Sequence, residues 1–296
     1  MKHTVKVTAM LLGLFLVAQA IGLFVLTGYI DPTASQQAGK PVYDNPPFDL
    51  ERPQLAEPTS YIFIIIAVLI GTALIFLLMR FRQVRLWKLW FLMSVVICLT
   101  VAFGAFLPDI TALALALVLG LWKVLRPNVY IHNATEVFVY AGLAAIFVPI
   151  MNVFSAFMLL VLISLYDMYA VWKSKHMVAL AQFQISSKLF AGLSLAYDKQ
   201  GALHASMPEI KQEKDGKGGK ESRMRNAILG GGDIGFPLIF AGVVMKQAGY
   251  LALIVSVFAA IALGLLFMYG RKDRFYPAMP FVTIGCLLGY GLVLLF

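Results

Sequence analysis

Long apolar runs recur along this sequence, most of them near the roughly 20 residues that a helix needs to cross a hydrocarbon core about 30 Å thick. Nine can be delimited, at about Thr4 to Leu26, Tyr61 to Met79, Leu89 to Leu107, Ile110 to Leu125, Val137 to Ile150, Val153 to Trp172, Asn226 to Met245, Gln247 to Met268 and Phe281 to Phe296. In lipid a backbone must satisfy its own polar groups, so runs of this kind cross as helices. Composition agrees: 60% of residues are hydrophobic and only 13% charged, against about 25% charged in a soluble domain. The expected fold is an all-α membrane protein with nine transmembrane helices, embedded many times over in a cell membrane or endomembrane. The first run could instead be a signal peptide, with Lys2 and Lys6 ahead of it and a cleavage-like Ala18-Gln-Ala20. Its apolar length exceeds the usual 7 to 15 residues of such a signal, and a retained span is expected.

Basic residues set the orientation. With the N-terminus inside, only Lys40, Arg52 and Lys246 of the 24 Lys and Arg fall in external segments. Cytoplasmic loops carry such an excess, so the N-terminus is expected in the cytoplasm and the C-terminus outside. The net charge of +9 then reflects topology, and no nucleic-acid partner is expected. Three regions follow: residues 1–172 with spans one to six, a cytoplasmic loop at 173–225, and residues 226–296 with spans seven to nine. Within the loop, Ser174 to Tyr197 mixes apolar and polar residues and reads as a short amphipathic interfacial helix. Lys211 to Arg225 is rich in Lys, Glu and Gly and reads as disordered. The external stretch from about Thr27 to Ser60, with its prolines and acidic residues, reads as an irregular, partly ordered loop. Cys98 and Cys286 lie in apolar stretches with no metal-ligand spacing and read as packing residues.

Two acidic residues stand inside these spans. Asp167 occupies Leu165-Tyr166-Asp167-Met168, and Asp233 follows Gly230-Gly231-Gly232. A carboxylate in hydrocarbon costs roughly 2.5 to 3.5 kcal/mol on the mildest scale, so a membrane protein seldom carries one without a use. At a helical rise, Asp167 lies about 9 Å before Lys173 and Asp233 about 12 Å after Arg225, which places both at one depth in the cytoplasmic half. Spans six and seven are consecutive and antiparallel, so the carboxyl groups can face each other. Gly231 and Gly235 have the small-xxx-small spacing that lets membrane helices approach, and the run of glycines loosens the helix beside the acid. Two adjoining carboxyl groups share one proton; the ionised member can activate a water while the protonated one polarises a carbonyl.

Tyr166-Asp167 in one span, Gly230-x-Gly232-Asp233 in the next and Pro277-Ala278-Met279 ahead of the last resemble the presenilin and signal peptide peptidase family of intramembrane aspartyl proteases. The resemblance extends to the nine-span layout. It implies Asp167 and Asp233 as catalytic residues, with Tyr166, Gly230 and Gly232 supporting them and Pro277, Ala278 and Met279 holding substrate. Met279 departs from the family's Leu, a change that roughly conserves volume. Pro277 and Pro280 bracket a backbone that is no ordinary helix interior, suited to pairing with an extended substrate, and a plain helix start with Pro280 in its first turn fits equally. The implied partners are transmembrane helical protein substrates within the lipid bilayer, of type I orientation given the charge distribution; accessory subunits or a homo-oligomer remain open. No cofactor and no metal is expected.

Two other readings compete. A proton- or cation-coupled transporter also uses intramembrane acids, but no internal repeat pairs the two aspartates. Prepilin-type peptidases share the glycine-aspartate motif, but this chain has Gly235 two residues after the acid, where a Lys is usual, and carries the Pro-Ala-Met element besides. There is no HExxH, and His3, His132, His176 and His204 read as loop or interface residues. Asp109 and Glu136, at span ends, read as solvated, and the sequon Asn133-Ala-Thr135 falls on the cytoplasmic side.

Overall fold

The computed structural model describes residues 5–174, 180, 183–184, 187, 189–197, 203–204, 225–270 and 276–296. The first helix, α1 (Val5–Thr27), leads into a small external arm made of β1 (Ile30–Asp31), α2 (Pro32–Ala38) and β2 (Val42–Tyr43). Asp31 caps α2 by accepting from the amides of Thr33 and Ala34, and Gly39, in the left-handed region at φ 64°, ends it. Then come α3 (Ser60–Arg80), α4 (Val84–Gly104), α5 (Asp109–Leu125), α6 (Val129–Phe147) and α7 (Val153–Tyr169), the last continuing into a π-helical turn at Ala170–Ser174. Three strands follow, β3 (Gly192–Tyr197), β4 (Leu203–His204) and β5 (Arg225–Gly230). The chain ends with α8 (Gly231–Ala248), α9 (Leu253–Tyr269) and α10 (Met279–Val293).

Each apolar run expected from the sequence carries a helix, with shifted ends. The helix of the fifth run starts at Val129 rather than Val137, and that of the seventh at Gly231 rather than Asn226. Among the described residues, six helical stretches are long and apolar enough to cross a membrane, one of them Gly231–Tyr269, which breaks at Gly249 into α8 and α9.

The bundle is organised around α1, α6 and α8. Leu11, Phe15 and Leu26 of α1 and Ile234, Phe240 and Val244 of α8 are buried, and Gln19 of α1 donates to the carbonyl of Ile234 at 3.0 Å. Ser256 of α9 donates to the same Gln19 side chain at 3.2 Å. A buried amide in lipid needs such partners, and these bonds tie α1 into the bundle. In α3, by contrast, only Ser60 and Ile64 are buried, and its apolar side chains face outward. That surface suits lipid.

The fold is not all helical. Strands β4, β3 and β5 form an antiparallel sheet in that order, with Gly192 opposite Gly230 and Tyr197 opposite Arg225. The amphipathic helix expected over Ser174 to Tyr197 is therefore a strand at its C-terminal end, buried along its whole length. Arg225–Gly230, expected as the start of a span, is its partner strand. The alternation is visible in burial, with Ala227 and Leu229 inside and Ile228 exposed, the period of two that a strand requires. Gly230 disfavours helix by roughly 1 kcal/mol relative to Ala and pairs with Gly192 of β3 instead, while Gly231 and Gly232 open α8. The helical-rise estimate of Asp233's depth does not hold across these residues. Except for Arg225, the disorder expected over Lys211 to Arg225 lies outside the described residues.

Candidate active site

Asp167 sits near the C-terminal end of α7 and is 5% exposed. Its Oδ2 accepts from the backbone N–H of Met279, the first residue of α10, at 3.2 Å. A carboxylate at a helix N-terminus pairs with unsatisfied amides and with the positive end of the helix dipole. Pro280 occupies the first turn, where its missing N–H costs nothing. One turn further in, Ser164 and Thr283 share a hydrogen bond at 2.8 Å, so α7 and α10 are joined at two levels. Pro277-Ala278-Met279 thus adjoins Asp167 directly, both as a helix start and as non-helical backbone ahead of it.

Asp233 lies in the first turn of α8, half-buried, and the charge of Asp167 reaches it. A side chain at Gly230 would come within 3.2 Å of its Oδ2, so Gly230 leaves the carboxyl group room. Gly232 has a milder role: a Cβ there would meet only the Phe236 ring at 3.4 Å. Gly231 has the least room of the four, since a Cβ there would lie 2.6 Å from the Tyr140 hydroxyl, and a Cβ at Gly235 would also meet Leu143 and Tyr140. The small-residue spacing therefore fits α8 against α6 rather than against α7. Pro237 lies inside α8 and removes the amide that would bond the carbonyl of Asp233. Tyr166 is half-buried beside Asp167, turned about 100° from it by the helix.

A cavity of about 110 Å³ adjoins Asp233, lined with it by Ile228 and Leu229, by Phe267 of α9, and by Tyr276 and Ala278. A water occupies about 30 Å³, so the cavity admits a few waters and no peptide. In the described sheet β5 is an edge strand, and its Ile228 and Leu229 share the lining of this cavity with Asp233 and Ala278.

What the sequence reading missed is the polar dock behind the sheet. Glu136, expected to be solvated, is 1% exposed and forms an ion pair with Lys123 of α5, itself 1% exposed. Its other oxygen accepts from the Tyr140 hydroxyl and, at 3.0 Å, from the Gly192 amide. His132, expected in a loop or at an interface, is buried, its Nε2 2.8 Å from the Gly192 carbonyl oxygen. Asn133 bonds both backbone groups of Ser194, at 2.9 and 2.7 Å, in the manner of a neighbouring strand. Gly192 itself has φ 145°, and a Cβ there would collide with the Leu229 carbonyl at 2.3 Å. Because Gly192 pairs with Gly230 and Gly231 N–H donates to Ala191 O at 3.2 Å, this dock sets the chain two residues ahead of Asp233. The signal was a polar stripe at positions 132, 136 and 140, four apart on one helix face. Asp109 behaves nearer to expectation: half-buried, it accepts from Phe48 N–H at 2.8 Å.

Comparison with known proteins bears on the same residues. No curated protein sequence matches the chain. Two crystal forms of a presenilin family intramembrane aspartate protease share its fold. The C222 form aligns over 97% of this chain and 98% of that one, with TM-score 0.62 and 18% identity. The P2 form aligns over 96% of each, with TM-score 0.61 and 18% identity. The family described as signal-peptide peptidase, presenilin aspartyl protease matches residues 34–296, which include both aspartates and the Pro-Ala-Met segment. The chain belongs to that family and is a multi-pass integral membrane protein and an aspartic endopeptidase.

Proposed function

We propose that Asp167 and Asp233 are the catalytic pair and that they hydrolyse a peptide bond within a single-span substrate of type I orientation. The carrying observation is that Asp167 bonds the start of α10 while Asp233 and Ala278, the residue just ahead of that helix, line one small cavity. In the hydrolytic state the two carboxyl groups hold one proton between them. The ionised one takes a proton from the water as its oxygen attacks the scissile carbonyl carbon. The protonated one donates to the carbonyl oxygen, and the tetrahedral intermediate collapses as the amide nitrogen is protonated and the C–N bond breaks.

Substrate must first unwind, since a helix keeps its carbonyls bonded to itself. The edge of β5 offers backbone partners for a substrate in extended form, and Pro277-Ala278 supplies a second non-helical wall. Because a cavity of about 110 Å³ is too small for a peptide segment, α10 and β5 separate when substrate enters. The scaffold is read as nine spans with the N-terminus cytoplasmic; the distribution of Lys and Arg supports that orientation and with it type I substrates.

Purified protein incubated with single-span substrates of both orientations, with and without an aspartyl-protease transition-state mimic, tests this reading. Cleavage of the type I set alone, suppressed by the mimic, is expected. Cleavage of type II substrates in preference, or indifference to the mimic, contradicts it.

A further inference from the structure

A larger cavity, of about 430 Å³, lies at the other end of α8. Lys246, on its wall, is 13 residues beyond Asp233, about 20 Å along the helix. Its walls are helix ends, the Pro149–Val153 junction between α6 and α7 and the last turn of α8, together with Lys40–Tyr43 of the external arm, Arg52 and Glu57. The three basic residues that the charge pattern leaves outside, Lys40, Arg52 and Lys246, all line it. One carboxylate, Glu57, faces them there, and Asp44 acts on Arg52 from nearby.

The polar groups on this wall differ in how well they are satisfied. Lys246 Nζ donates to the carbonyl oxygens of Pro149 and Met151 at 3.0 and 2.7 Å. Arg52 Nη1 makes only a long bond to Tyr43 O at 3.4 Å, and its Nε and Nη2 are buried without partners, as is the Tyr43 hydroxyl. Burial pushes the Tyr43 hydroxyl up to about 12, so it keeps its proton and is a donor. Buried donors without acceptors are rare in native proteins and call for a partner. Here the orphaned groups can all donate, and their surroundings are cationic. An acceptor with several oxygens and a negative charge would pair with these donors together. A guanidinium fork matches two oxygens of a phosphate, and the ends of membrane helices are the level at which lipid headgroups lie.

We propose that this cavity binds a phosphate oxyanion, with Arg52 as its principal donor and Tyr43 and Lys40 beside it, the phosphate coming from a lipid headgroup or from solution. This site is separate from the proteolytic reading and stands or falls without it.

The test uses the full chain in neutral detergent, followed by thermal unfolding and native mass spectrometry. Short-chain phosphatidylglycerol and inorganic phosphate are titrated separately, with chloride at matched ionic strength as control. The midpoint is expected to rise with phosphatidylglycerol and one lipid to remain bound. Affinity falls about tenfold or more in Arg52→Gln, where charge-assisted bonds are lost. Lys40→Gln, at an exposed position, keeps the fold and weakens binding less. Arg52→Lys keeps the charge, loses the fork and also weakens binding, which preserves the test if Arg52→Gln fails to fold. A rise with both ligands assigns the site to the phosphate group itself, and a rise with phosphatidylglycerol alone assigns it to the lipid. No rise with either, or binding unchanged in all three variants, overturns the proposal.

Discussion

Single atoms decide several contacts in this protein, and its glycines show it best. A Cβ on Gly142 of α6 would lie 1.9 Å from the carbonyl oxygen of Cys98 on α4, a backbone atom that cannot turn aside. Gly13 of α1 has nothing within 4 Å. Gly142→Ala is therefore expected to destabilise by about 1–3 kcal/mol or more through overpacking. Gly13→Ala should be neutral or gain up to about 1 kcal/mol from helix propensity. Unfolding in detergent, measured for both variants side by side, checks the contrast. At this scale the aspartates were legible in the sequence, because the cost of a carboxylate in hydrocarbon marks Asp167 and Asp233 wherever the spans fall. Gly231 was legible as a packing residue, but its partner was not: that Tyr140 rather than α7 receives it depends on which helix face turns inward.

Between elements, the junction of greatest consequence joins α6 to the sheet. Lys123, Tyr140 and the Gly192 amide form one buried network through Glu136, and removing Glu136 takes that partner from all three. Glu136→Ala strands the Lys123 ammonium and is expected to cost about 3–5 kcal/mol, whereas the double variant Lys123→Met with Glu136→Leu recovers part of that loss. A double-mutant cycle on unfolding free energies measures the coupling, and additive losses would argue against the network. Proteolysis should fall with Glu136→Ala as well, since the network fixes β3 and, through it, the approach to Asp233. None of this was visible from hydropathy. Leu193, Leu195, Ala227 and Leu229 read as apolar whether helical or extended, and the partner that makes each a strand lies some 30 residues away. Glu136 sat near the edge of an apolar run, where a charge reads as solvated. Only the packing of α5 on α6 shows that it meets Lys123.

For the whole molecule, a helix on each long apolar run was legible because bilayer thickness dictates the length of such a run, and the sheet was not because it answers to no such ruler. Orientation extends the same logic. Reporter fusions should place the N-terminus in the cytoplasm and the C-terminus outside, and the reverse result would remove the ground for type I substrates. The account as a whole depends on two carboxyl groups acting on one water. The most direct measurement is cleavage of a single-span substrate by purified protein carrying Asp167→Asn, Asp233→Asn or both. Groups that act as a unit are non-additive, so each single variant is predicted to be as inactive as the double, with the fold retained by thermal unfolding. Substantial cleavage by either folded single variant would contradict the shared-water mechanism.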